Sequence, residues 1–154
     1  MNMKHRGFTV LEILIAISIM VLTITIVTFS FSKLNSSQTL DKSADLVVSI
    51  LNEARSLTLS SVNDSQYGVS FEDSQVILFK GSIYLLSDPS NVVTELNSLV
   101  GLRNIILNGG GTSVIFKRLT GNTFETGTVE IFLKASTTTF RTITISATGI
   151  VELD

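Results

Sequence analysis

Hydrophobic and polar positions divide the chain into three regimes. From Ile13 to Ser32 the side chains are apolar apart from serines and threonines, and between Glu12 and Lys33 there is no charge, glycine or proline. Roughly 20 such residues are what a helix needs to cross a bilayer's hydrocarbon core. The segment Lys33 to Gln38 is polar enough to mark the exit from that layer. Beyond it, Leu40, Ala44, Val47, Val48, Leu51, Ala54 and Leu57 recur at spacings of three and four. Asp41, Lys42, Asp45, Asn52, Glu53 and Arg55 occupy positions between them, the pattern of a helix with one face toward a core. Because no glycine or proline interrupts from Phe8 to Tyr67, one long helix is the simplest reading.

After Ser61 the period changes from helical to alternating. Strands are expected at 66–71, 76–79, 83–86, 104–107, 113–116, 129–133, 141–146 and 150–153, separated by turn-forming residues. Gly81 is expected to reverse the chain into Ile83-Tyr84-Leu85-Leu86, and Ser87 to Asn91 is a loop by composition. The helix would lay its apolar face on this antiparallel sheet, an α+β architecture. The expected divisions are a short head over 1–7, a transmembrane helix over 8–32, its amphipathic continuation over 33–62 and a β domain over 63–154.

Length and composition fit that scheme. A chain of 154 residues with 44% hydrophobic content suits one modest domain and one membrane segment. There is no cysteine, so the fold rests on packing without disulfides, and thiolate chemistry is excluded. The single histidine is His5, in the head, which leaves a Ser-His triad or a His-ligated zinc without its imidazole. No cofactor is called for and an enzyme is not expected. The formal charge of −2 argues against nucleic acid as the main partner.

Two features at the head of the apolar run are unusual. Glu12 places a carboxylate at an apolar boundary, which is costly unless a positive group meets it. The small residue that would mark a cleavage site, Gly7, precedes the apolar stretch, whereas an ordinary secretory signal places it after. A plain signal anchor, with Lys4 and Arg6 holding the N-terminus in the cytoplasm, explains orientation and length but leaves Gly7-Phe8 and Glu12 as accidents. A cleaved secretory signal ending near Ser30-Phe31-Ser32 is opposed by Glu12 and by the length of the run.

The sequence Gly7-Phe8-Thr9-Val10-Leu11-Glu12, behind a basic leader and ahead of an apolar helix, resembles the type IV prepilin family, which includes type II secretion pseudopilins and competence pilins. The resemblance implies cleavage after Gly7 by a prepilin peptidase, N-methylation of Phe8 by the same enzyme, and a role for Glu12 in assembly. Partners would be that peptidase, the inner membrane and other pilin subunits. A looser likeness covers the helix end Leu46 to Arg55, the segment Tyr67 to Phe71 and the terminal stretch Ile143 to Val151, all of which look like the H-type minor pseudopilins and FimT-like minor pilins. It implies a minor subunit of a type II secretion pseudopilus or type IV pilus.

Further candidates are less specific. Lys117, Arg118, Lys134 and Arg141 give the second half a mild basic bias, and DNA-uptake minor pilins similar to this family use basic C-terminal regions. Glu125 and Glu130 stand among them, so a solvated face is the simpler reading. Glu72 with Asp73, and Asp88 with Asn91, offer oxygen ligands without EF-hand spacing and read as turn residues, so no metal site is expected. Gly109-Gly110-Gly111 has no following Lys-Ser/Thr and reads as a loop.

Overall fold

The computed structural model describes residues 8–154, with backbone alone over 29–34. The chain divides into two compact units, Met1–Asn35 and Ser36–Asp154. The helix α1 runs from Val10 to Leu59, ending short of the expected 62. Ser61, Asn63 and Asp64 adopt left-handed backbone conformations there, and a 3₁₀ turn at Val62–Asp64 leads away from it.

In the first unit the described side chains of α1 are exposed along its length. The stretch Val10–Thr28 is long and apolar enough to cross a membrane. Its few polar groups are satisfied within the helix. The hydroxyls of Ser18, Thr25 and Thr28 donate to the carbonyls of Leu14, Val21 and Ile24, each at 2.8 Å, and Thr23 donates to Ile19 at 2.7 Å. Hydrocarbon offers such groups no partner, and this back-bonding is what a lipid-facing helix would require of them.

In the second unit the outer part of α1 closes a β domain. Leu40, Ala44, Val47, Leu51, Ala54 and Thr58 are fully buried, a seam at spacings of three and four, and Ile50 joins its edge. Each large aliphatic side chain taken from water this way contributes about 1.5–3 kcal/mol. The β strands are β1 (Tyr67–Glu72), β2 (Gln75–Lys80), β3 (Val92–Glu95), β4 (Val100–Leu107), β5 (Ser113–Ile115), β6 (Gly127–Leu133), β7 (Ser136–Ile145) and β8 (Val151–Leu153). They form two four-stranded antiparallel sheets rather than one, ordered β3-β2-β1-β5 and β4-β6-β7-β8. Val69, Phe71 and Val114 from the first sheet share one core with Leu102, Ile131 and Ile143 from the second and with the helix seam. The sheets are joined at Asp73, whose carbonyl accepts the Leu102 N–H at 2.8 Å.

Two expectations fail around β2. Its run Val76-Ile77-Leu78-Phe79 is buried on both faces. Val76 and Leu78 belong to the core shared with the helix, whereas Ile77 and Phe79 lie on the opposite face. There Tyr84 meets Phe79 with ring centroids 5.4 Å apart. Residues 83–86 are therefore an irregular segment over the sheet, not a strand. The strand that pairs with β2 on the side away from β1 is Val92–Glu95, placed just beyond the expected loop. Desolvation, reinforced by the neighbouring Glu72 carboxylate that accepts its hydroxyl at 3.3 Å, pushes the Tyr84 phenol above its usual range.

The C-terminal end of the helix is tied to both sheets. Thr58 is completely buried, its hydroxyl donates to the Ala54 carbonyl at 2.8 Å, and it accepts the Tyr67 N–H at 2.9 Å, fixing where β1 begins. Thr58→Val keeps the shape but leaves that buried N–H unpaired. The expected loss is about 1–3 kcal/mol in urea unfolding of the full chain in detergent, and an unchanged midpoint would count against this role. Nearby, Arg55 donates to the carbonyls of Gly121 and Thr148, each at 3.3 Å, clipping two loops to the helix end. Gly149 completes this junction with φ +73°, where a Cβ would stand 2.0 Å from the Gly121 oxygen. Only glycine fits that turn without moving backbone.

Candidate functional site

The head of α1 is built by its own sequence. Thr9 stands immediately before the first helical residue, and its side-chain oxygen accepts the Glu12 N–H at 3.2 Å. Its main-chain oxygen accepts from Glu12 at 3.1 Å and Ile13 at 3.3 Å. Thr9 is thus the N-cap, and Thr-x-x-Glu is the pattern of a capping box. That pattern stands in the sequence, but hydropathy alone does not single out Thr9 as the residue that starts the helix. The cap places Glu12 in the first turn, where exposed N–H dipoles favour an anion. Among the described residues the exposed Glu12 carboxylate makes no hydrogen bond or ion pair. Phe8 lies outside the helix, before the cap, with its ring exposed. Gly7, with Lys4, His5 and Arg6, lies outside the described residues.

The chemistry this arrangement supports is recognition. A capped helix presents a carboxylate without a partner among the described residues, at the mouth of an apolar surface that none of them covers. Such a surface is stable only within lipid or against other apolar helices. A cationic group reaching Glu12 there would find a counter-charge on the first turn of the helix.

The four basic candidates do not form one patch. Arg118 donates to the Asp64 carboxylate at 3.0 Å and to its carbonyl at 2.8 Å, just past the helix C-terminus. Arg141 pairs at 2.8 Å with Asp41, near where the helix enters the domain. From Asp41 to Leu59 a helix rises about 27 Å at 1.5 Å per residue, so the two arginines sit toward opposite ends. Lys117 lies over the Phe124 ring, 2.8 Å from its centroid. Lys134 lines an open cleft of about 320 Å³ with Glu95, Ser74 and Gln75. A further cation that composition did not single out, Arg103, pairs with Glu130 at 3.0 Å and stacks on Phe132 and Phe140 at 4.8 and 5.4 Å.

The acidic candidates act within their turns. Glu72 accepts from Gln75 at 2.6 Å as well as from Tyr84. Asp88 accepts the Ser90 hydroxyl at 2.6 Å and N–H at 2.8 Å, which holds its carboxyl below the usual range. Gly109 and Gly110 take positive φ in the loop between β4 and β5.

Comparison with known proteins bears on both units. The family described as "Prokaryotic N-terminal methylation motif" matches residues 2–28. Among solved structures the fold is similar to the type IV minor pilin FimU of Pseudomonas aeruginosa strain PAO1 in two crystal forms. In one form the TM-score is 0.56 at 15% identity, over 75% of this chain and 92% of that one. In the other it is 0.58 at 15% identity, over 75% and 87%. No curated protein sequence matches. The chain therefore combines a prepilin methylation motif with a pilin-like fold.

Proposed function

We propose that this pilin-like chain is a minor subunit of a type IV pilus or type II secretion pseudopilus. It is inserted in the inner membrane with its N-terminus cytoplasmic, clipped after Gly7, and methylated on Phe8. The observation that carries this reading is the coincidence, within residues 2–28, of the methylation motif with a capped helix whose apolar surface nothing among the described residues covers. Lys4 and Arg6 support the orientation through the positive-inside rule. A glycine at the junction supports cleavage there, because it lets a peptidase approach the backbone closely. The enzyme acting on it, a prepilin peptidase and methyltransferase, and the neighbouring subunits are the partners this role requires.

Cleavage would leave a cationic amine on Phe8. Phe8 precedes the N-cap, outside the helix that carries Glu12, and Glu12 has no partner among the described residues. That supports pairing between the amine of one subunit and Glu12 of the next, an arrangement that sets the stagger of packed helices. Binding of duplex DNA is a poorer fit, since the basic side chains are dispersed and Arg118 and Arg141 already hold internal partners. Intact-mass and N-terminal peptide analysis of the protein from its native membrane is expected to give a chain beginning at N-methylated Phe8. A chain still carrying residues 1–7 after leaving the bilayer would defeat the proposal.

A further inference from the structure

The two sheets have four outer edges, and they are not equally guarded. β4 bonds to Asp73 of the other sheet, and β5 is closed by Glu125, whose carboxylate accepts the Ile115 N–H at 3.3 Å. β8 is only three residues long. β3 is also short, at four residues ending in Glu95, but no bond from outside its own sheet covers it among the described residues. The Leu96 N–H bonds to the Ser74 carbonyl, which fixes Val92 and Thr94 as the residues bonded to β2 and turns the N–H and C=O groups of Val93 and Glu95 outward. Among the described residues nothing pairs with them.

Open edges are usually blunted by lysine, proline or a bulge, because unpaired backbone recruits another strand. β3 carries none of these. It is also apolar on both faces: Val92 lies on the side of Leu78 and Val93 on the side of Ile77, exposed by 55% and 53%. The segment over the sheet adds Ile83, Leu85 and Leu86, exposed by 70%, 60% and 77%, and the Leu85 carbonyl accepts from Asn91, the residue before Val92. An incoming strand would find backbone partners and apolar surface together.

Charge selects the occupant. Asp88 precedes the strand and Glu95 ends it; neither is ion-paired among the described residues, with Lys80 in the neighbourhood of Asp88 and Lys134 lining the cleft that Glu95 borders. Antiparallel pairing of two copies through β3 would set the Asp88 end of one against the Glu95 end of the other, acid facing acid. We infer that β3 is a docking edge for an extended segment of another protein, a β-strand of apolar side chains flanked by lysine or arginine. Main-chain bonds would supply the common part of the affinity and the two carboxylates the selection.

The test uses the full mature chain in lipid nanodiscs and a fluorescein-labelled Lys-Thr-Val-Thr-Val-Lys peptide, read by anisotropy. The peptide is expected to bind, with at least tenfold weakening when both lysines are replaced by glutamate. N-methylation of the four central residues, which keeps the charges but blocks the ladder, is expected to weaken it as much. Val93→Pro removes one outward N–H while sparing the bonds to β2. Glu95→Gln removes a carboxylate without touching the backbone and keeps the test independent of the proline's effect on folding. Each is expected to weaken binding at least fivefold. The inference is overturned by no binding at millimolar peptide, by equal binding of the glutamate-ended or N-methylated peptides, or by self-association that Val93→Pro abolishes, which would make a second copy the occupant.

Discussion

Glu12→Leu is expected to give a subunit that is inserted and clipped normally but is missing from sheared filaments, with incorporation reduced at least tenfold. Leucine suits the lipid-facing surface better than glutamate does, so insertion should not suffer. The cap is made by Thr9 through the Glu12 N–H, which any residue but proline retains. What disappears is the only charge between Arg6 and Lys33. In the assembled state the neighbour's Phe8 amine would then be enclosed by apolar helices without a counter-ion, and breaking one side of a buried pair costs about 3–5 kcal/mol. Several kcal/mol per joint is decisive for a polymer, because each factor of ten in affinity is only about 1.4 kcal/mol. The measurement is immunoblotting of sheared and membrane fractions, with mass spectrometry of the membrane form to confirm clipping. Normal incorporation of processed Glu12→Leu would remove Glu12 from the assembly mechanism.

Phe71→Ala is expected to destabilise the β domain by about 3–5 kcal/mol, more than the loss of the Thr58 hydroxyl does. Phe71 is 1% exposed on the helix-facing side of the first sheet and belongs to the core that both sheets share with α1. Its N–H donates to the Thr112 carbonyl at 2.8 Å, which holds the backbone beneath the ring in place. Removing the ring leaves a void that two sheets and a helix must collapse around together, which rigid packing permits only in part. Leu119→Ala is the comparator, since Leu119 is 82% exposed and should change stability by no more than about 0.5 kcal/mol. Urea unfolding of both variants in detergent, followed by far-ultraviolet circular dichroism, would show the contrast. Equal midpoints would mean that the core does not control the stability of the β domain.

The helix was legible because its signals are local. An uninterrupted apolar run, a spaced seam from Leu40 to Ala54 and the absence of breakers act through neighbours one turn apart, and each survived into the structure. Most strands were legible for the same reason, with β6 and the inner part of β7 alternating as half-buried strands must. The failures at 83–86 and 92–95 share one cause. An apolar tetrad such as Ile83 to Leu86 has the composition of a strand, but β2 is bonded to β1 on one side and to β3 on the other, so those residues lie over the sheet instead of joining it. Val92–Glu95 became the edge because antiparallel pairing with Gln75 to Leu78 needed a strand there, a demand that no four-residue window can express.

The amino-acid order alone determined the apolar helix, its charge pattern, the carboxylate of Glu12 in its first turn and the lack of any thiol or of an imidazole beyond the head, because these depend on composition and spacing along one chain. Only the tertiary structure decided that the β domain is two sheets, that Arg118 and Arg141 face different ends of it, that Arg55 and Gly149 lock its loops, and that β3 is left open. Those outcomes depend on which distant segments compete for the same backbone partners and the same core, and that competition is settled only when the chain closes on itself.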